Sequence, residues 1–89
     1  MKLKYKFVIR EVAGKSVAVT VGQDNAVFNG MVKLNDTAEF IFKRLNDGTA
    51  TREELTAAVR DNYGVDADTA GQAVDSLIGS LRENGLIEE

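Results

Sequence analysis

Carboxylates dominate the groups with which this chain could do chemistry: its 89 residues hold fourteen Asp and Glu, no His and no Cys. Adjacent acids at Glu53/Glu54, Asp66/Asp68 and Glu88/Glu89 are the pattern needed for acid–base work or for gripping a hard cation. Each pair, however, falls at a helix start or at the end of the sequence, where capping or solvation accounts for it. Asp61, Asp66 and Asp68 supply too few converging oxygens for an ordered divalent site. Without imidazole or thiol, the commonest general base and the thiol nucleophile are both missing. No GxGxxG, P-loop lysine or calcium-loop spacing occurs. These residues predict a protein that is not an enzyme, with no metal and no cofactor.

The elements that position the remaining residues must fit one domain, residues 1–89. Apolar residues make up 44% of the chain, enough for a folded core and too many for disorder. No apolar run nears the ~20 residues that span a bilayer, and MKLKYKFVIR lacks the apolar stretch and cleavage site of a signal peptide. The absence of cysteine fits a reducing compartment, so a cytoplasmic protein away from membranes is expected. Charge is uneven: residues 1–34 carry net +4 and residues 35–89 net −7. A basic amino-terminal half could steer an acidic partner.

The first third has strand chemistry. In YKFVIRE, Tyr5, Phe7 and Ile9 alternate with Lys4, Lys6 and Arg10, and Val8 interrupts the polar side. In SVAVTV, Val17, Val19 and Val21 stand opposite Ser16, Ala18 and Thr20. Ala13-Gly14-Lys15 joins the two as a hairpin. Residues 26–34, AVFNGMVKL, read as one irregular third strand with a bulge or close approach at Asn29-Gly30.

Three helices follow. Asn35 or Asp36 caps the first, whose apolar stripe is Ala38, Ile41, Phe42 and Leu45, and Asn46-Asp47-Gly48 ends it through a left-handed glycine. Thr51-Arg52-Glu53-Glu54 is a capping box for the second, with Leu55, Ala58 and Val59 turned inward and Tyr63-Gly64 closing it. Asp66 or Asp68 starts the third, which buries Ala70, Val74, Leu77, Ile78 and Leu81 before Gly85 stops it and Leu86 and Ile87 fold back. The order β-β-β-α-α-α predicts a winged-helix-like α+β domain, in which three amphipathic helices cover one face of a three-stranded antiparallel sheet. In LNDTAEFIF, Leu34 ends the sheet in the core, Asn35-Asp36-Thr37 turns the chain and caps the helix, and Ile41 and Phe42 bring it back onto the sheet.

Two binding functions suit that outline. A winged-helix DNA-binding protein would place its third helix in the major groove. Here that helix sets Asp68, Asp75 and Glu83 against Arg82 alone, the wrong charge for a phosphate backbone. Peptide binding fares better. The third strand comes last in the meander and can lie at an edge, offering backbone groups to an added strand, or to a second copy in a homodimer. Gly71, Ser76, Gly79 and Ser80 lie at or beyond the margin of the third helix's buried stripe. Glycine costs a helix roughly 1 kcal/mol against alanine, so small residues there call for a reason, such as close packing or a shallow groove.

VIREVAGKSVAVTV (8–21), GMVKLNDTAEFIFKRLNDG (30–48), TREELTAAVRDNYGVD (51–66) and AVDSLIGSLRENGLIE (73–88) together resemble the PqqD-like proteins, the stand-alone form of the recognition element in ribosomally made, post-translationally modified peptide pathways. The most specific piece is VKLNDTAEFIFKRLNDG, followed at the right distance by TREEL and LRENGLI. The resemblance implies three strands then three helices, and a non-catalytic peptide chaperone. Such a protein binds the leader segment of a precursor peptide as an added strand beside strand three and against helix three. It presents the peptide to a maturation enzyme, very often a radical SAM protein. By position, the backbone from Phe28 through Asn29, Gly30, Met31 and Val32 to Lys33 would pair with the leader, and Asp75, Ile78, Gly79 and Arg82 would line the groove. Leu34-Asn35-Asp36-Thr37 corresponds to a structural motif. Phe42 stands where the family often has Trp, a change of core size.

Overall fold

The computed structural model describes residues 1–21 and 31–88. The sheet has the order β2 (Phe7–Val12), β3 (Lys15–Thr20), β4 (Met31–Leu34), antiparallel throughout. β2 and β3 join in a two-residue turn, Val12 pairing with Lys15. Ala13 and Gly14 both take positive φ, 53° and 78°. That is the mirror-image turn whose twist matches a right-handed hairpin, and glycine serves it without strain. Of the expected third strand, residues 26–30 lie outside the described residues, and Phe28, Asn29 and Gly30 with them.

Alternation divides the strands into two faces. Phe7, Ala18 and Leu34 enter the core, and Ile9 and Val32 pack against it. The small side of β3 therefore faces the helices, not its valines. Ala18 has no exposed surface, and in the same core Phe42 meets Phe7 edge-on, centroids 5.2 Å apart. The other face carries Val8, Arg10, Val12, Lys15, Val17, Val19, Met31 and Lys33.

Helix α1 (Asp36–Asp47) starts at Asn35, whose side chain accepts from the Ala38 amide at 2.8 Å. Helix α2 (Arg52–Tyr63) has the full capping box: the Glu54 amide donates to the Thr51 hydroxyl at 3.1 Å, and the Thr51 amide to the Glu54 carboxylate at 3.0 Å. Gly64, at φ 66°, ends it in the left-handed position. Helix α3 (Ala67–Glu83) is capped by Asp66, which accepts from the Thr69 amide at 2.7 Å. The three helices bury Ile41, Phe42, Leu45, Leu55, Val59, Val74, Ile78 and Leu81 against one another and the sheet.

The end of α1 differs from the expected left-handed glycine. Gly48 has φ 165° and ψ −157°, an extended conformation open to any residue. The chain must run straight out there, because the Ala50 amide donates to the Met1 carbonyl at 2.9 Å. A second small sheet accompanies this contact. β1 (Lys2–Leu3) and β5 (Ile87–Glu88) pair antiparallel, Lys2 with Glu88 and Leu3 with Ile87. The fold-back after Gly85 thus ends in a strand. The Leu86 amide closes on the Leu81 carbonyl at 2.9 Å, and Leu86 and Ile87 are buried.

Candidate functional site

The hydrogen-bond phase of β4 follows from the hairpin. Residues flanking a two-residue turn bond to each other, so Val12↔Lys15, Arg10↔Val17 and Val8↔Val19 are the bonded pairs of β2 and β3. The intervening residues of β3 then turn their backbone groups to β4, at Ser16↔Leu34 and Ala18↔Val32. It follows that Met31 and Lys33 point their N–H and C=O away from the sheet. The far edge confirms the phase. Phe7, out of bonding phase with Thr20, receives the Asn46 side chain instead: Nδ2 donates to the Phe7 carbonyl at 2.9 Å, and the Phe7 amide donates to Oδ1 at 3.4 Å. Among the described residues no strand pairs with the outer side of β4.

A cleft of about 330 Å³ runs beside that open edge. Val32 and Lys33 form one wall, and Asn35, Thr37 and Ala38 close the end where α1 begins. Ala73, Ser76, Leu77 and Ser80, at i, i+3, i+4 and i+7 of α3, form the opposite wall. Three of these four are small, which keeps the helix surface back from the strand. Ser76 and Ser80 are thus among the small residues with a spatial reason. Gly71 has a different one: a Cβ there would come within 2.9 Å of the Arg52 guanidinium. Around Gly79 such a Cβ meets nothing within 4 Å.

The α3 residues expected in a groove, Asp75, Ile78, Gly79 and Arg82, do not line this cleft. Successive helix residues turn by about 100°, so Asp75, Ile78 and Arg82 lie roughly 150° or more round α3 from the cleft row. Ile78 is in the core. Asp75 takes a forked pair of bonds from Arg52 of α2, at 2.6 and 2.9 Å, and that partner holds its carboxyl below the usual range. Gly79 is half-buried between the two flanks, and of the expected residues that are described, Val32 and Lys33 line the cleft. Asn35, Thr37 and Ala38, expected to be structural, border it as well. Ser76 and Ser80 carried a signal in the sequence, their small size on α3, whereas Ala73 and Leu77 were not singled out for a groove.

The wall is held in place by its ends and by α2. Backbone donors at the helix starts hold Glu54 and Asp66 below their ordinary carboxyl range, through Thr51 and Thr69 respectively. Among the described residues no cluster of acids could hold a metal ion, and no helix is long and apolar enough to cross a membrane.

A strand edge unpaired among the described residues, a cleft beside it and a small-residue helix as the far wall characterise this small α+β domain. The family model for coenzyme PQQ synthesis protein D matches residues 8–87, and the chain belongs to the PqqD family. Among solved structures the chain is similar to "Lasso peptide synthetase B1 complexed with the leader peptide", with a TM-score of 0.67 and 25% identity over 99% of this chain and 96% of that one. Among curated proteins no sequence matches.

Proposed function

We propose that this protein is a non-catalytic carrier, a single domain over residues 1–89, that binds the leader segment of a ribosomally made precursor peptide and hands it to a maturation enzyme in the cytoplasm. The leader adds as a strand on the outer side of β4 and lies against α3. The backbone groups of Met31 and Lys33 bond it, and its inward side chains enter the cleft beside Ala73, Ser76, Leu77 and Ser80. The observation that carries this reading is the outward phase of Met31 and Lys33 over a cleft of about 330 Å³. Family membership supports it, and so does the likeness to a lasso peptide synthetase B1 solved with the leader peptide. The maturation enzyme is a radical SAM protein in this reading, and the carrier itself needs no cofactor. The acidic α3, with Asp68, Asp75 and Glu83 against Arg82, argues against the DNA-binding alternative.

An ordering segment spends part of its interaction energy on becoming ordered, so an affinity on the order of micromolar or somewhat tighter is expected. Titrating isotope-labelled protein with the leader of its cognate precursor tests the mode. Amides of Met31–Leu34 and of the Ala73–Ser80 flank should shift. Shifts confined to α1 and α2 would refute strand addition.

A further inference from the structure

The outer face of the sheet faces away from the helices and adjoins the same edge. Register arranges it in rows across the strands. One row is Val8–Val19–Met31 and the next is Arg10–Val17–Lys33. Met31 is 55% exposed, whereas Val17, between the two cations, is 4% exposed. The third row holds Val12 and Lys15. The face therefore carries three cations and no acid among the described strand residues. Neither Arg10, Lys15 nor Lys33 has an ion-pair partner among them. Asp36 borders the hollow that Lys15 and Lys33 share, which leaves that hollow with a net positive charge.

A strand added at β4 extends each row by one residue, because side chains of directly opposed residues lie on the same face. Its residue opposite Val32 points inward, into the small-residue cleft. Its neighbours in sequence, opposite Met31 and Lys33, point outward and become the fourth members of the two rows. From this we infer the guest's recognition pattern: a large apolar residue facing α3, flanked in sequence by an acidic residue over Lys33 on one side and an apolar residue over Met31 on the other. The inference rests on the strand-addition reading and deepens it. Lys33 supplies both an outward backbone pair and the charge that selects the acid, so one residue reads register and chemistry together. Opposite charges directly across strands attract and like charges repel, so a basic guest residue at that position is selected against.

Panning a phage-displayed library of random dodecapeptides against the wild-type protein and against Lys33→Glu tests this. Wild type should enrich Asp or Glu immediately beside Phe, Leu, Ile or Met. Lys33→Glu should enrich Lys or Arg at that same place. Fluorescent copies of a matched acidic and basic pair should change their relative affinity by roughly tenfold between the two proteins, a size typical of an exposed cross-strand charge swap. Selected peptides that shift the Met31–Leu34 amides but show no adjacent acid, or the same peptides from both proteins, would overturn the pattern while leaving strand addition standing. Failure to select any peptide that shifts those amides would overturn both.

Discussion

The two edges of the sheet are treated differently. At β2, the carboxamide of Asn46 satisfies both backbone groups of Phe7, standing in for a neighbouring strand. At β4, no described strand or side chain does the same for Met31 or Lys33, and a cleft lies alongside. A bare edge invites unwanted pairing, which proteins ordinarily suppress. Here one edge is plugged by the end of α1, and among the described residues Lys33 sets a positive charge along the other. The contrast is that, among the described residues, the same helix that blocks one side begins, at Asn35, where it borders the other.

The largest test of that contrast is proline placed in and out of phase. Lys33→Pro removes an outward donor, so the domain should stay folded while leader binding falls roughly 10- to 100-fold. Lys33→Ala controls for the lost charge and should bind far better than the proline variant. Val32→Pro removes a donor that bonds Ala18 and should cost about 3 kcal/mol or more, read as a large drop in thermal midpoint. Equal effects of the two prolines would refute the assigned phase. On the plugged edge, Asn46→Ala should lower stability by about 1–2 kcal/mol in denaturant melts, since the backbone of Phe7 loses its partner. Leader affinity should be unchanged, and dimer formation at high concentration should rise as the second edge opens.

Acid should loosen the helical wall. The carboxyls of Glu54, Asp66 and Asp75 are depressed in the folded state, so the stability they add is fully present above their unfolded values, about pH 4. It drains away as pH falls through the lowered folded values. Amide exchange at the starts of α2 and α3 should therefore quicken below about pH 4, and Asp75→Asn should blunt part of that dependence. The smallest effect belongs to Gly79, where a Cβ meets open space. Gly79→Ala should stabilise α3 by about 0.5–1 kcal/mol and leave leader affinity within twofold, provided the guest keeps to the Ala73–Ser80 flank. A large loss of binding would return Gly79 to the groove.

Local signals were readable in the sequence. Asn35, Thr51 with Glu54, and Asp66 each act on an amide three residues on, so the helix starts are written in short words. The order of elements and the edge position of the third strand also followed. Alternation in SVAVTV separates two faces but does not say which meets the helices. In the fold the smaller one, with Ala18, enters the core. Periodicity in α3 finds the buried stripe, yet its two flanks look alike until tertiary contacts assign one to α2 and the other to β4. Hence the sequence offered Asp75 and Arg82 for a groove, while the cleft beside β4 is lined on α3 by Ala73, Ser76, Leu77 and Ser80. β1 and β5 are each two residues long, too short for any period, and their partners stand at opposite ends of the sequence.

That last pairing has a consequence in time. Lys2 has its strand partner at Glu88, far along the sequence, so this pairing must close a long loop. The caps, the hairpin and the helical core can all assemble sooner from nearer neighbours, and pairing of distant segments is intrinsically slow. During synthesis Leu3 would therefore lack its strand partner until Ile87 has emerged.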